Sequence, residues 1–281
     1  MPPRLMDYHL HTKVTIDGKM TEDEVCERAL LMDIQEIAFT NHAMLTEPDY
    51  TISHADFVRH WENIQTCRQH YPQLTIRLGL EIDYYEGREE EVATDIRQYE
   101  ALIDQPFDLI LGAVHHLNGV YFSSQIYAPD LYNHHGIEKL YQDYFRLATR
   151  AVQSRLFDVM AHPDLIKKYT GILSPPVPFE QYRVAAGSYV DALLDCNVGI
   201  EVNTKGLKQV GGEAYPSNGL LELYLSRAGT QGRQPIITLG SDAHDIAGVG
   251  THLIDGVKML QKYGQKSIMS FEKRVPTPFL L

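Results

Sequence analysis

Histidine and acidic residues recur along this chain, each at or just after the end of a short apolar run. They are His9, His11, His42, Glu81, His115, His162, Asp242 and His244. Imidazole and carboxylate groups together suit zinc, iron or manganese, and this set is too large for one tetrahedral ion. The residues therefore predict two or three divalent metals, with a carboxylate such as Glu81 as a bridge. Adjacent metals suit in-line attack on phosphorus, because one generates hydroxide and the other holds a phosphoryl oxygen.

Alternating strand and helix patterns are expected to position these groups. The predicted strands cover residues 5–9, 36–40, 75–82, 108–115, 157–162, 199–203 and 235–240. Amphipathic spacing predicts helices over residues 21–32, 55–70, 89–103, 137–154, 179–196 and 217–228. The alternation indicates an α/β fold with a parallel sheet, closed into a barrel of seven or eight units, with an open doubly wound sheet as the alternative. In a barrel the carboxyl ends of the strands meet on one face, where active sites are built.

Composition argues against several functional classes. The net charge of −12 disfavours a protein that covers nucleic-acid phosphates with Lys and Arg. No apolar run is long enough to span a membrane, and the start MPPRLMDYHLH lacks the apolar centre of a secretion signal. We therefore expect one domain over residues 1–281, located in the cytoplasm.

The other histidines carry weaker signals. His54, His60 and His70 fall on or beside a predicted outer helix and are expected to face solvent, and His134 and His135 lie in a predicted polar loop. His116 follows His115 directly, so strand alternation should turn its side chain away from that of His115.

The motifs together resemble the polymerase and histidinol phosphatase (PHP) superfamily, and within it the L-histidinol-phosphate phosphatases. The matching segments are DYHLHT, FTNH, GLEIDY, GAVHH, AHPDLIKKY, EVNTKGLK, YPS and GSDAH. The resemblance implies a distorted (β/α)7 TIM-like barrel with a trinuclear metal site. The implied ligand sets are His9, His11, Glu81 and Asp242 for the first metal, Glu81, His115 and His162 for the second, and Asp17, His42 and His244 for the third. Many relatives have His where this chain has Asp17, and often Asp where it has Asn41.

The resemblance also implies a reaction, the hydrolysis of L-histidinol phosphate to L-histidinol and phosphate (EC 3.1.3.15), a step of histidine biosynthesis. A metal-bridging hydroxide would attack phosphorus, with Glu81 as the bridging ligand and Asp242 or His244 as the proton source. Lys205, and either Lys167 or Lys168, occupy positions of basic residues that bind the substrate phosphate. Candidates for contact with the alcohol are Asp83, Tyr84, His116 and Glu213.

Three alternatives compete with this hypothesis. A PHP-type phosphoesterase could act on another small phosphate ester or a nucleotide. An amidohydrolase also opens with HxH on a barrel strand, although SDAH and His115 disagree with its usual pattern. A non-catalytic metal-binding protein would leave the lysine beside the ligands without a role.

Overall fold

The computed structural model describes residues 3–134 and 136–281, and His135 therefore lies outside the described residues. Its strands are β1 (Leu5–Leu10), β2 (Ile34–Phe39), β3 (His42–Ala43), β4 (Thr75–Asp83), β5 (Leu109–Ala113), β6 (His116–Leu117), β7 (Val120–Tyr121), β8 (Val159–Met160), β9 (Gly199–Asn203), β10 (Ile237–Gly240), β11 (Ser267–Glu272) and β12 (Val275–Leu280). Its α-helices are α1 (Glu22–Leu31), α2 (His54–His70), α3 (Glu89–Ile103), α4 (Ala128–His134), α5 (Ile137–Gln153), α6 (Phe179–Cys196), α7 (Asn218–Thr230) and α8 (Leu253–Lys262). Two 3-10 helices cover Leu165–Tyr169 and Thr204–Lys208.

Seven strands form a parallel, nearly closed barrel in the order β1-β2-β4-β5-β8-β9-β10. The barrel closes between β1 and the segment after β10, where the Ala243 amide donates to the His9 carbonyl at 3.2 Å. The His11 amide in turn donates to the Ala243 carbonyl at 2.9 Å. The predicted barrel is thus confirmed, with a strand at the position of each predicted one.

Local signals explain where the barrel elements begin and what they bury. In α1 the Thr21 hydroxyl accepts from the Glu24 amide at 3.2 Å, and the Glu24 carboxylate accepts from the Thr21 amide at 2.8 Å, which forms a capping box. Strands such as β5 and β9 are buried along their whole length, because helices cover the outside of a parallel barrel. Buried apolar residues join strands and helices into one core.

The sequence patterns missed several short or terminal elements. Helices α4 and α8 and the hairpins β6–β7 and β11–β12 were not predicted, and His134 ends a helix where a loop was expected. Each element of the β6–β7 hairpin has two residues, too few for an apolar period to be recognised. Each helix within the described ranges is too short or too polar to cross a membrane.

His60 corrects the prediction of three solvent-facing histidines on α2. His54 and His70 are exposed, but His60 is only 1% exposed. Helix α2 packs against α1, and the His60 imidazole there contacts the buried carboxylate of Glu22. His60 lies three residues after Phe57 and four before Ile64 and so shares their buried face, where polar partners on α1 make its burial favourable.

The C-terminal hairpin β11–β12 covers the amino-terminal end of the barrel. The Arg274 amide donates to the Asp108 carbonyl at 2.9 Å, directly before β5. The Arg274 guanidinium donates to both carboxylate oxygens of Asp158, directly before β8, at 3.0 Å. The opposite, carboxyl-terminal end of the barrel is thereby left for the functional groups.

Arg274→Ala should lower the free energy of unfolding by about 1–3 kcal/mol, because it removes the charged donor from the largely buried Asp158 carboxylate. The matched control is Arg59→Ala, which breaks an exposed pair with Asp56 and should cost only about 0–0.5 kcal/mol. Urea unfolding followed by circular dichroism measures both variants. Equal stability of the two variants would show that the hairpin contact contributes nothing.

Candidate metal centre

The nine predicted ligands all lie at the carboxyl-terminal end of the barrel. His9 is in β1 and Glu81 near the end of β4, while His42 opens β3, which pairs with β4 in a register that places His42 opposite Glu81. The other members follow β1, β5, β8 or β10 and are His11, Asp17, His115, His162, Asp242 and His244.

Glu81 lies at the centre of the cluster and is 1% exposed. Its Oε2 atom is 3.1 Å from His9 Nε2, 3.5 Å from His11 Nε2 and 3.0 Å from His42 Nδ1. Its Oε1 atom is 2.7 Å from His162 Nε2 and 3.7 Å from His115 Nε2. The two oxygens thus face different groups of imidazoles, as the oxygens of a bridging carboxylate must.

Asp17 lies between two of the predicted ligands. Its Oδ2 atom is 3.2 Å from His42 Nε2 and 3.1 Å from His244 Nε2. Asp17 was assigned to the site only through family resemblance, since its turn carries no strand-end signal. Its position is compatible with the third ligand set.

Three triads in the cluster have ligand atoms within 4.8 Å of one another. They are His9, Glu81 and His162; His9, His11 and Asp242; and His11, His42 and His244. His9 and His11 each belong to two triads, so the triads do not coincide with the three ligand sets implied by the family resemblance. The triads therefore form one continuous cluster of metal-binding atoms.

Buried polar atoms without hydrogen-bond partners indicate which kind of ligand this cluster suits. Several polar atoms accept and donate no hydrogen bond among the described residues, namely His9 Nε2, both ring nitrogens of His11, His42 Nδ1, His162 Nδ1 and Asp17 Oδ1. Buried polar atoms in proteins normally have hydrogen-bond partners. A group of ring nitrogens and a carboxylate oxygen that lack such partners suits divalent cations, which bind these atoms as ligands.

The protonation tendencies of Glu81 and His11 agree with metal binding, whereas His9 and His42 would have to give up protons. Burial lowers the pKa of these two imidazoles, but the facing carboxylates outweigh it and raise the pKa of His9 well above normal and that of His42 to about 10. Burial raises the pKa of Glu81, but the facing His9 and His42 imidazoles outweigh it and lower the pKa well below its usual value. Burial lowers the pKa of His11 well below normal, and the neighbouring His244 and His42 add to this effect. A deprotonated carboxylate and a neutral imidazole are the forms that coordinate metal.

Glu201 on β9 supports the cluster from behind, and sequence reasoning missed it. His9 Nδ1–H donates to Glu201 Oε1 at 2.8 Å, which leaves His9 Nε2 directed at the cluster. Glu201 Oε2 accepts from the His162 amide at 2.9 Å and from Asn203 Nδ2 at 3.0 Å. A Cβ at Gly240 would lie 2.2 Å from Glu201 Oε1, so glycine is required there. The available signal was an acidic residue within an otherwise apolar strand, GIEVN.

Two predicted substrate contacts, Asp83 and His116, lie behind the metal cluster. Asp83 is fully buried, its Oδ1 accepts from His115 Nδ1 at 2.5 Å, and its Oδ2 is 3.0 Å from His116 Nδ1. His116 Nε2 is 3.0 Å from Glu47 Oε1.

The third predicted contact, Tyr84, faces a different cavity. Its hydroxyl donates to Glu89, and Tyr84 lines a separate cavity of about 440 Å³ with His116. Among the described residues, none lines both this cavity and the metal-facing one. The structure therefore does not bring Asp83, Tyr84 or His116 to the substrate side of the ligands.

Two lysines face the metal cluster, and a third does not. Lys205 Nζ donates to Asp242 Oδ1 at 2.8 Å and lies 3.2 Å from His244 Nδ1. Lys168 Nζ donates to the Ser123 carbonyl at 2.6 Å. Both lysines line the metal-facing cavity, which has a volume of about 340 Å³. The structure thus selects Lys168 over its neighbour.

Lys167 and Glu213 occupy an adjoining cavity of about 360 Å³. Lys167 Nζ donates to Glu213 Oε2 at 3.1 Å and to the Ala214 carbonyl at 2.6 Å. The adjoining cavity shares Lys168, Gln209 and Tyr215 with the metal-facing one. Glu213 is thus next to the site, while the Lys167 ammonium is held by other partners.

Comparisons with known proteins agree with this geometry. The PHP domain model matches residues 7–205. A probable histidinol-phosphatase of Deinococcus radiodurans is 28% identical over 278 residues, which cover 98% of this chain and 99% of the relative. The histidinol-phosphatase of Bacillus subtilis is 27% identical over 268 residues, covering 87% and 95% respectively.

A solved structure has the same fold. The crystal structure of histidinol phosphate phosphatase from Lactococcus lactis, complexed with zinc, L-histidinol and phosphate, superposes with a TM-score of 0.80 at 18% identity. The superposition covers 98% of this chain and 99% of that one. With a family model that spans most of the barrel strands and a matching fold, this chain belongs to the PHP domain family.

Proposed function

We propose that this chain is a metal-dependent phosphomonoesterase that hydrolyses L-histidinol phosphate to L-histidinol and phosphate. One observation carries the proposal: the ring of His, Asp and Glu donors opens into a cavity that Lys168 and Lys205 also line. Metal ligands beside two cations match a phosphate ester better than a neutral amide. Full-length similarity to relatives named histidinol-phosphatase supports the choice of alcohol.

The proposed metal ligands are the sets implied by the family. His9, His11, Glu81 and Asp242 would hold one ion, Glu81, His115 and His162 a second, and Asp17, His42 and His244 a third. Zinc, iron and manganese all suit this donor chemistry. When bound, the ions would supply a hydroxide nucleophile and offset the charge of the phosphoryl group.

Protein side chains would bind the phosphate and assist departure of the alcohol. Lys168 and Lys205 would donate to the equatorial oxygens, which carry the charge of the phosphoryl group in the transition state. Burial raises the pKa of Asp242, but the adjacent Lys205 and His9 outweigh it and lower the pKa well below normal. Asp242 therefore carries no proton to give, so proton transfer to the leaving oxygen would fall to His244, which lies beside Lys205.

The alcohol would occupy the adjoining cavity of about 360 Å³. This cavity continues from the metal-facing one past Lys168, Gln209 and Tyr215. The Glu213 carboxylate and the Tyr215 ring provide acidic and aromatic surface there. These groups suit an alcohol that carries an ammonium group and an imidazole.

The function is tested with purified, metal-reconstituted protein and a substrate panel. Histidinol phosphate should be cleaved with kcat/KM at least about 100-fold above AMP or glucose 6-phosphate, because specific contacts to the alcohol add to phosphate binding. Glu81→Gln should lose bound metal and more than about 100-fold of activity. A nucleotide that outcompetes histidinol phosphate would refute the substrate, and full activity in Glu81→Gln would refute the bridging role.

The pH profile tests the role of Lys168. Burial and the nearby Lys205 lower the pKa of Lys168 to about 8, so its ammonium loses the proton as pH rises through that value. Bound metal ions would lower this pKa further. The kcat/KM for histidinol phosphate should therefore fall on the alkaline side near or below pH 8, and Lys168→Arg, which keeps its charge, should lack this limb. Lys168→Met should lose about 10- to 100-fold in kcat/KM at neutral pH. Identical profiles for wild type and Lys168→Arg would exclude this role.

Glu213 is tested by comparing two substrates. Glu213→Gln should reduce kcat/KM for histidinol phosphate about 10-fold, since a charged contact to the alcohol is weakened. Hydrolysis of p-nitrophenyl phosphate, which lacks the cationic groups, should change less than about twofold. Glu86→Gln is the matched control, because Glu86 lines the separate cavity with Tyr84. An equal loss on both substrates would place Glu213 outside alcohol recognition.

A further inference from the structure

A buried chain of hydrogen bonds connects helix α2 to the loops that carry three proposed metal ligands, His11, Asp17 and His42. The Thr12 amide donates to Asn41 Oδ1 at 2.7 Å, and Asn41 Nδ2 lies 3.2 Å from His60 Nε2. His60 Nδ1 lies 2.5 Å from Glu22 Oε1. All four residues are at most 3% exposed. None of them is a proposed metal ligand.

The direction of each bond in this chain follows from its first donor. The Thr12 backbone N–H can only donate, so the Asn41 atom facing it is the carbonyl oxygen. The amide nitrogen of Asn41 therefore points at His60 and donates to Nε2. With Nε2 accepting, the imidazole proton is on Nδ1 and is donated to Glu22. His60 is thereby specified as the neutral Nδ1–H tautomer.

Glu22 is well placed to be the charged end of the chain. It is the first residue of α1, where the helix dipole favours an anion. Burial raises the pKa of Glu22, but the hydrogen bonds from His60 and from a backbone amide outweigh it, and the pKa is lowered. Asn63 Nδ2 donates to the other carboxylate oxygen at 3.2 Å.

The other end of the chain controls two ligand-bearing segments. The Thr12 carbonyl accepts from the Thr15 amide at 3.2 Å, and the Thr15 carbonyl accepts from the Gly18 amide at 3.2 Å, so the turn containing Asp17 is built on Thr12. A Cβ at Gly18 would lie 2.0 Å from the Thr12 oxygen, which shows how tightly this turn packs. Asn41 directly precedes His42. One amide side chain thus ties the backbone beside His42 to Thr12, which directly follows His11 and on which the Asp17 turn is built.

We propose that His60 is a positioning residue for the third metal, which acts by holding the Asn41 amide in the one orientation that fastens the Asp17 turn to the His42 loop. This inference rests on the metal assignment made in the proposed function.

A purely structural role for His60 makes different predictions. The imidazole packs edge-on against the Phe39 ring, with centroids 5.5 Å apart, so any substitution removes packing as well as hydrogen bonds. Loss of packing would lower stability and weaken the metals alike. A positioning role requires one particular tautomer and a selective effect on one metal.

Nitrogen-15 NMR of the histidine side chains tests the tautomer in the wild-type protein. The His60 signal, assigned by its loss in His60→Leu or by its shift in Asn41→Asp, should report a neutral ring with the proton on Nδ1. In Asn41→Asp the ring would lie between two carboxylates and should become an imidazolium at neutral pH. A wild-type imidazolium or Nε2–H tautomer, or an unchanged ring in Asn41→Asp, would overturn the proposal.

Stepwise metal titration by calorimetry and metal analysis tests selectivity. His60→Leu should weaken the third ion about 10- to 100-fold, because two of its three ligands adjoin the chain, and should weaken the first ion, which has only His11 there, and the second ion clearly less. His70→Leu, an exposed change on the same helix, should bind as wild type. Asn41→Asp should keep the third ion, because its carboxylate still accepts from Thr12 and pairs with His60. Asn41→Leu loses both contacts and should weaken that ion about 10- to 100-fold, and unchanged binding in Asn41→Leu would overturn the proposal even if His60→Leu does not fold.

The outcomes separate this inference from the proposed function. Equal weakening of all three ions in His60→Leu, or a wild-type protein that binds only two, would overturn the positioning role. A protein with the expected tautomer and a selectively weakened third ion that does not cleave histidinol phosphate would uphold the positioning role and refute the proposed substrate.

Discussion

The burial of one carboxylate, Glu81, is the constraint on which the functional end of this barrel depends. A carboxylate that is 1% exposed is tolerable only where positive charge or donors surround it. Five imidazoles on four segments of the barrel supply that environment, and each reaches Glu81 only when its segment takes its place in the barrel. The donor cluster is therefore complete only in the closed barrel. Divalent cations would complete the charge balance that the unpartnered nitrogens leave open.

A second layer of carboxylates orients the first layer of side chains. Glu201 holds His9, Asp83 holds His115, and Glu22 holds His60. In each pair the imidazole donates Nδ1–H outward and directs Nε2 inward. Two proposed ligands are thus oriented directly by a carboxylate. A third carboxylate orients His60, which through Asn41 holds the loops that carry further ligands in position. A site so rich in histidine needs such carboxylates, because an imidazole has two nitrogens and only one of them can face a metal.

The two ends of the barrel have different tasks. At the amino-terminal end, Arg274 and the β11–β12 hairpin satisfy carboxylates that precede the strands. At the carboxyl-terminal end, Lys168 and Lys205 place positive charge beside the donor ring of a chain whose net charge is −12. Local cations of this kind can outweigh an unfavourable overall field for a small anion. The net negative charge of the chain and the proposed phosphate-binding role of this cavity are therefore compatible.

The sequence by itself determined the barrel and most of the donor ring. Strand periodicity and the rule that parallel strands end on one face were enough to bring His9, Glu81 and Asp242 together, because both are local patterns with a single tertiary consequence. Family resemblance added Asp17. The tertiary structure alone decided that Lys168 rather than Lys167 faces the cavity, that His60 is buried, and that Glu201 supports the ring. Adjacent residues of a 3-10 turn point about 120° apart, and a helix face is buried only by what packs on it, so these choices depend on contacts between segments distant in sequence.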